Sequence, residues 1–235
     1  MKCWGVVPAG GVGKRMGSTT PKQYLPLKGR TVLEHTLSRL LAEPQIQGIV
    51  VALSDRDDRW SQLSIAEDPR ITRAQGGRER GHSVLNGLKA LSRADDDDWV
   101  LVHDAVRPCL RAEDLSRMIA ALWNDSVGGI LAHPARDTMK RADAQGRIVQ
   151  TENRQGLWHA MTPQMFRLGQ LRPALERALE DGFAITDEAC AMEHAGFHPK
   201  LVQGHADNIK ITCPEDLIVA EFLLNRGTGV THECQ

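Results

Sequence analysis

The sequence predicts an α/β fold, a mostly parallel twisted sheet with helices on both faces, and three observations predict it. Apolar, β-branched runs recur at Cys3–Val7, Gly48–Leu53, Trp99–His103 and Gly128–Ala132, with a shorter run near Ile71. Segments of helical periodicity, Thr31–Glu43, Gly81–Ser92 and Ala112–Trp123, alternate with them, and Pro214–Asn225 follows late in the chain. The first run also drives straight into a turn with glycines at 10, 11, 13 and 17. Strands alternating with helices imply parallel pairing through right-handed crossovers, and such sheets bind ligands beyond the carboxyl ends of their strands.

In chain order, Val6 and Val7 end the first strand, and the turn V-V-P-A-G-G-V-G-K-R-M-G follows. Lys14 and Arg15 lie in that turn, and Lys22 comes soon after in P-K-Q-Y. Glycines let backbone N–H groups crowd around an oxyanion while cations neutralise it, so this loop reads as a phosphate cradle. It is not a P-loop, because Pro8 stands where the first glycine belongs and Arg15 replaces the Ser or Thr. It is not the dinucleotide fingerprint either, because Met16 occupies the third glycine position. A plain turn between strand and helix is the bland alternative; four glycines among three cations weigh against it.

Gly76 and Gly77 end the strand near Ile71, and Ser83 lies in the first turn of the next helix. That pattern suits contact with a base or ribose and equally suits an ordinary helix start. Past the strand at Trp99, V-H-D-A-V-R-P sets Asp104 three residues before Arg107. This pair can hold a ribose hydroxyl or metal and a phosphate, or can simply be a structural ion pair. Asp95–Asp98, just before the same strand, reads as a solvated acidic turn. Thr138–Glu152 is polar and alternating around Ala144-Gln145-Gly146, a hairpin with little apolar face. Such a ribbon either lies on the domain or crosses to a partner. Short strands are expected at Lys200–Gln203 and Asn208–Thr212, and the second would turn Lys210 away from Ile209 and Ile211 ahead of a helix start at Thr212-Cys213-Pro214-Glu215. His194 and His198 straddle a helix end, which argues against a metal site. Residues 227–235 read as a disordered tail.

Composition narrows the function. The chain has 235 residues, 29 basic and 30 acidic, for a net charge of −1. No global field attracts nucleic acid, and one Tyr and four Phe offer little for base stacking. No run nears the roughly 20 apolar residues needed to cross a bilayer, and no signal peptide is evident. Five scattered cysteines without C-x-x-C read as reduced thiols of a cytoplasmic protein. No Ser-His-Asp or Cys-His spacing supports covalent catalysis. Arg15, Lys22, Arg107, Arg154 and Lys210, all in or beside loops, suggest transfer by positioning and electrostatics.

The ordered segments P-A-G-G-V-G-K-R-M, P-K-Q-Y, G-G-R-E-R-G-H-S-V-L-N-G-L, V-H-D-A-V-R-P, R-D-T-M-K, G-L-W-H-A-M-T-P-Q-M-F, T-D-E-A and G-H-A-D-N-I-K-I-T-C-P-E-D-L span nearly the whole chain. In this order the chain resembles the 2-C-methyl-D-erythritol 4-phosphate cytidylyltransferases of the non-mevalonate isoprenoid pathway. The resemblance implies one Rossmann-like domain over 1–235, with a β-arm at about 138–153 exchanged in a homodimer. It implies cytidylyl transfer from CTP to methylerythritol phosphate with release of pyrophosphate, and Mg²⁺ carried mainly by the CTP phosphates.

The residues implied are Arg15 and Lys22 at the transition state, and Arg154 and Lys210 at the attacking phosphate. Ala9, Gly10, Gly11, Gly13, Gly77 and Ser83 would hold the cytidine part. Asp104, Arg107, Thr138, Thr162 and Thr186 would line the ribose and methylerythritol portions. Three departures or variable points stand out: Gly10 where the family usually has Ala, Val106 for an Ala, and Arg78 beside the base. Ribitol 5-phosphate as the acceptor, a non-catalytic nucleotide-binding protein and a nucleotide-sugar glycosyltransferase are the competing readings. The intact cations speak against the second, and the lack of a metal-binding acidic pair speaks against the third.

Overall fold

The computed structural model describes residues 1–11 and 20–226. Eleven strands and six α-helices are assigned among them: β1 Cys3–Pro8, β2 Pro26–Leu27, β3 Arg30–Thr31, α1 Val32–Leu41, β4 Ile46–Leu53, β5 Ile71–Gln75, α2 Arg80–Lys89, β6 Trp99–Val102, α3 Ala112–Leu122, β7 Gly128–Pro134, β8 Lys140–Ala142, β9 Ile148–Thr151, β10 Trp158–Arg167, α4 Leu168–Glu180, α5 Glu188–His194, β11 Lys200–Gln203 and α6 Pro214–Arg226. Seven strands form one sheet in the order β11-β7-β10-β6-β1-β4-β5. Only β10 runs against its neighbours.

The alternation of side chains across each strand builds the two cores. On one face Val7, Ile49, Val51, Leu53 and Leu101 pack under α1 and α3. On the other, Val6, Val50, Ala52, Val100 and Val102 pack under α2, α4 and α5. Helix α1 starts on a capping box, in which Thr31 and Glu34 satisfy each other's backbone N–H. A third cluster joins Leu27, Val32, Val106 and Ile211 to Ala220 and Leu224 of α6. Val106 therefore shares a core with α6 while also lining the cleft. No helix among the described residues is long and apolar enough to cross a membrane.

Three expectations are corrected. The antiparallel β10 was not foreseen, because Pro163 sits inside it and the register shifts between Ala160 and Gln164, which breaks the period of two. Asn208–Thr212 is no strand. Among the described residues its one backbone-to-backbone hydrogen bond to a distant segment is Ile211 N–H donating to the Val106 carbonyl at 2.9 Å, while Asp216 holds the Thr212 backbone N–H. The acidic run is not uniformly solvated: Asp98 is buried and accepts from Lys2 N–H at 2.7 Å and Trp4 Nε1 at 3.0 Å. The β8–β9 ribbon is a separate two-stranded sheet with every strand residue exposed. Its turn carries Gly146 at φ 77°, in the left-handed region that favours glycine. The tail at 227–235 lies outside the described residues.

Candidate active site

The strands β1, β5 and β6 end at the same rim, and a cleft of about 240 Å³ opens there. Ala9–Gly11 after β1, Gly77–Arg80 after β5 and Asp104–Val106 after β6 line it, with Lys22 and Lys210 arriving from elsewhere in the chain. The Lys22 turn is fixed to the end of β1 by the buried Gln23, whose Nε2 donates to the Ala9 carbonyl at 2.7 Å. On the other side of the turn Tyr24 donates to Asp57 at 2.7 Å. Lys22 Nζ donates to the Ile211 carbonyl at 3.3 Å, which ties this turn to the Lys210 segment.

Asp104 is the centre of the charged array. Its carboxylate meets Arg80 Nε at 3.0 Å, Lys210 Nζ at 2.9 Å and Arg107 Nε at 3.4 Å. Burial alone would raise its pKa, but Arg80, Lys210 and Arg107 outweigh burial and hold the carboxyl well below the usual carboxylate range. Arg80 also forks onto Glu188 of α5, at 2.6 and 3.0 Å. Burial disfavours its charge, yet Glu188 and Asp104 together push its pKa above the ordinary arginine value. The cleft lining thus carries four cations (Lys22, Arg78, Arg80, Lys210) and two carboxylates (Glu79, Asp104).

The turn after β5 packs tightly against the start of α2. Gly77 N–H donates to Ser83 Oγ at 2.9 Å, and that hydroxyl donates to the Glu79 carbonyl at 3.1 Å. A Cβ on Gly77 would collide with His82. Gly10 differs: among the described residues a Cβ there would meet Ser54 N at 3.5 Å, an ordinary contact, and one on Gly11 would meet no described atom within 4 Å.

The structure brings Ala9, Gly10, Gly11, Lys22, Gly77, Arg78, Ser83, Asp104 and Lys210 to one cleft. Arg107 stands directly behind Asp104. Thr162 is buried, with its hydroxyl against Asp104 N–H and His103. Thr138, Arg154 and Thr186 are exposed and do not line the cleft of their own chain. Gly13 and Arg15 lie outside the described residues. Sequence reasoning missed Arg80 and Glu188. The signal that could have found them is the carboxylate in T-D-E-A at the start of a buried helix, which demands a cation.

A mostly parallel sheet with a glycine turn and cations gathered at one rim is the arrangement of an enzyme that handles phosphates by electrostatics, as a nucleotidyltransferase does. The family model described as IspD: 2-C-methyl-D-erythritol 4-phosphate cytidylyltransferase matches residues 3–226. The chain belongs to that family. It is 57% identical over 218 residues to the 2-C-methyl-D-erythritol 4-phosphate cytidylyltransferase of Ectopseudomonas mendocina (strain ymp), covering 92% of this chain and 93% of that one. It is 54% identical over 222 residues to the enzyme of the same name from Escherichia coli O1:K1 / APEC, covering 94% and 93%. Among solved structures, the Francisella tularensis enzyme of that name superposes with a TM-score of 0.84 at 34% identity, over 95% of this chain and all of that one. A structure described as 4-diphosphocytidyl-2C-methyl-D-erythritol synthase gives 0.83 at 39% identity, over 95% and 98%.

Proposed function

We infer that the chain transfers the cytidylyl group of CTP to 2-C-methyl-D-erythritol 4-phosphate in isoprenoid precursor synthesis, and that the cleft at the rim of β1, β5 and β6 is where it does so. Family membership carries the reaction. The observation that supports this cleft is the convergence of Arg80 and Lys210, from distant parts of the chain, on one ionised carboxylate, with Lys22 lining the same cleft. An oxygen of the acceptor phosphate attacks the α-phosphorus of CTP. The new P–O bond forms as the α–β phosphoanhydride breaks, and pyrophosphate leaves. Charge rises on the α-phosphate oxygens during attack, and fixed cations stabilise that state more than the ground state. Lys22 serves the α-phosphate and Lys210 the attacking phosphate, with Arg15 completing the set.

Gly77 and the Ala9–Gly11 turn offer backbone groups to the cytidine. Mg²⁺ would be held mainly by the triphosphate oxygens and would offset their charge, because Asp104, a carboxylate of the cleft, already faces three cations. Titration calorimetry should show Mg²⁺ binding only with CTP present; tight binding to the protein alone would contradict this. The exposed arm crosses to a second copy and delivers Thr138 and Arg154 to the partner's cleft. Exposed Ile148 and Val149 on that arm support the reading. Free thiols at Cys3, Cys109, Cys190 and Cys213 support a cytoplasmic setting.

Pyrophosphate release with CTP and methylerythritol phosphate tests the site. Lys22→Ala and Lys210→Ala should each lower kcat by roughly 10²–10³-fold and move the KM for CTP far less. Changes confined to KM would show that these lysines bind the ground state only.

A further inference from the structure

A chain of hydrogen bonds behind the cleft can be followed proton by proton. The Asp104 backbone N–H donates to Thr162 Oγ1 at 3.1 Å. The other partner of that hydroxyl is His103 Nδ1, at 2.9 Å. His103 Nε2 lies 3.2 Å from the Arg107 carbonyl oxygen. A carbonyl only accepts, so Nε2 carries the ring proton. In the neutral ring Nδ1 is then an acceptor, and the single Thr162 proton goes to it. Neutrality follows from burial: His103 is 0% exposed, and burial foremost lowers its pKa to about 4, with Arg107 and Arg80 pressing the same way against Asp104. The chain then closes on itself. Asn208 Nδ2 donates to the Thr162 carbonyl at 2.7 Å, and Arg107 Nη1 donates to the Asn208 carbonyl at 2.6 Å.

We propose that Thr162 and His103 are positioning residues for Asp104. The Thr162 hydroxyl fixes the Asp104 peptide, His103 fixes the hydroxyl, and the Asp104 carboxylate then aims Lys210 and Arg107. The resemblance puts Thr162 on the substrate side instead. In this structure its proton goes to His103 and one of its lone pairs to Asp104, and the residue is only 4% exposed. The proposal rests on the role of Lys210 given above.

Thr162→Val keeps the shape and removes the hydroxyl; Thr162→Ser keeps the hydroxyl. The valine variant should lose kcat by roughly 10- to 100-fold, while the KM for methylerythritol phosphate moves by less than about threefold. The serine variant should stay within about threefold of the parent in both. An unchanged kcat in the valine variant overturns the proposal. A rise in acceptor KM of about tenfold at constant kcat also overturns it, because that is the mark of a direct ligand. A second readout needs no turnover. In ¹⁵N ring spectra of the unaltered protein, His103 should hold the Nε2–H tautomer from about pH 6 to 8, and its Nδ1 resonance should move in Thr162→Val. An Nδ1–H tautomer breaks the chain at its first link, even where the valine variant fails to fold. A Lys210→Ala variant with full kcat would instead sink the parent reading and leave this ring signature standing.

Discussion

Replacing His103 with Gln should change how stability depends on pH, and the size of the change follows from burial. The folded ring has its pKa lowered from 6.5 to about 4, first by burial. Below pH 6.5 the unfolded chain binds a proton that the folded chain refuses, so stability rises with pH between about 4 and 6.5. Each pH unit of that gap is worth about 1.4 kcal/mol. Moving from pH 7.5 to 4.5 should therefore cost the parent about 2.5 kcal/mol through this one side chain. His35 is shifted the same way, so the parent curve alone does not isolate the effect; the difference between parent and variant does. At pH 7.5 the parent should be the more stable, by about 1–3 kcal/mol for two lost hydrogen bonds. At pH 4.5 that advantage should shrink by about 2–3 kcal/mol. Asp104, Asp125 and Asp216 are all held low, and their contributions fade only as pH falls below about 3.8, outside this window. Urea unfolding followed by circular dichroism at the two pH values gives both differences. An advantage that stays constant within about 0.5 kcal/mol would show that His103 is not a buried neutral ring.

Two further outcomes test other parts of the reading. Changing Ile148 and Val149 together to Asp should give monomers by light scattering and lose most activity at dilute concentration. Mixing this variant with Lys210→Ala should restore part of that activity, since each chain supplies what the other lacks; a monomeric parent, or no rescue, refutes the arm exchange. Gly10→Ala should leave kcat within about threefold and raise stability by about 0.4–1 kcal/mol, because a Cβ there meets only ordinary contacts and the backbone is not left-handed. A loss of stability in a thermal melt would mean that the β1 turn is tighter than its geometry.

Most of the sheet was legible because its strands are short, apolar and buried on both faces, so composition alone marks them. The exceptions have separate causes. At Asn208–Thr212 the alternation of Ile209 and Ile211 imitates a strand, but side chains hold the backbone in place of a ladder: Asn208 bonds Thr162, and Asp216 caps Thr212. At β10 a proline hides a central strand that pairs with β7 on one side and, more than 50 residues away, with β6 on the other. The site divides the same way. Lys22, Gly77, Ser83, Asp104 and Lys210 stand in short segments with local signatures. Arg80 and Glu188 meet across 108 positions of sequence, and no spacing rule reaches that far. Thr162 was noticed through the resemblance, yet the direction in which its hydroxyl faces is a tertiary fact.

The buried carboxylates explain why so many cations can stand together before any nucleotide arrives. Like charges a few ångströms apart repel, and a cleft lined by Lys22, Arg80 and Lys210 alone would splay its side chains into solvent. Asp104 sits within 3.4 Å of Arg80, Arg107 and Lys210 at once, and Glu188 takes the rest of the Arg80 fork. Breaking either buried pair would strand a charge at a cost of about 3–5 kcal/mol, so the array is rigid. Because the cations hold Asp104 far below its ordinary pKa, its half of the arrangement stays ionised well into the acid range, whereas burial raises the pKa of Glu188. A phosphate that enters meets donors already oriented, and the energy of reorienting them is absent from the barrier. In this site the acidic residues therefore do not weaken anion binding so much as hold the cations in the geometry that catalysis uses.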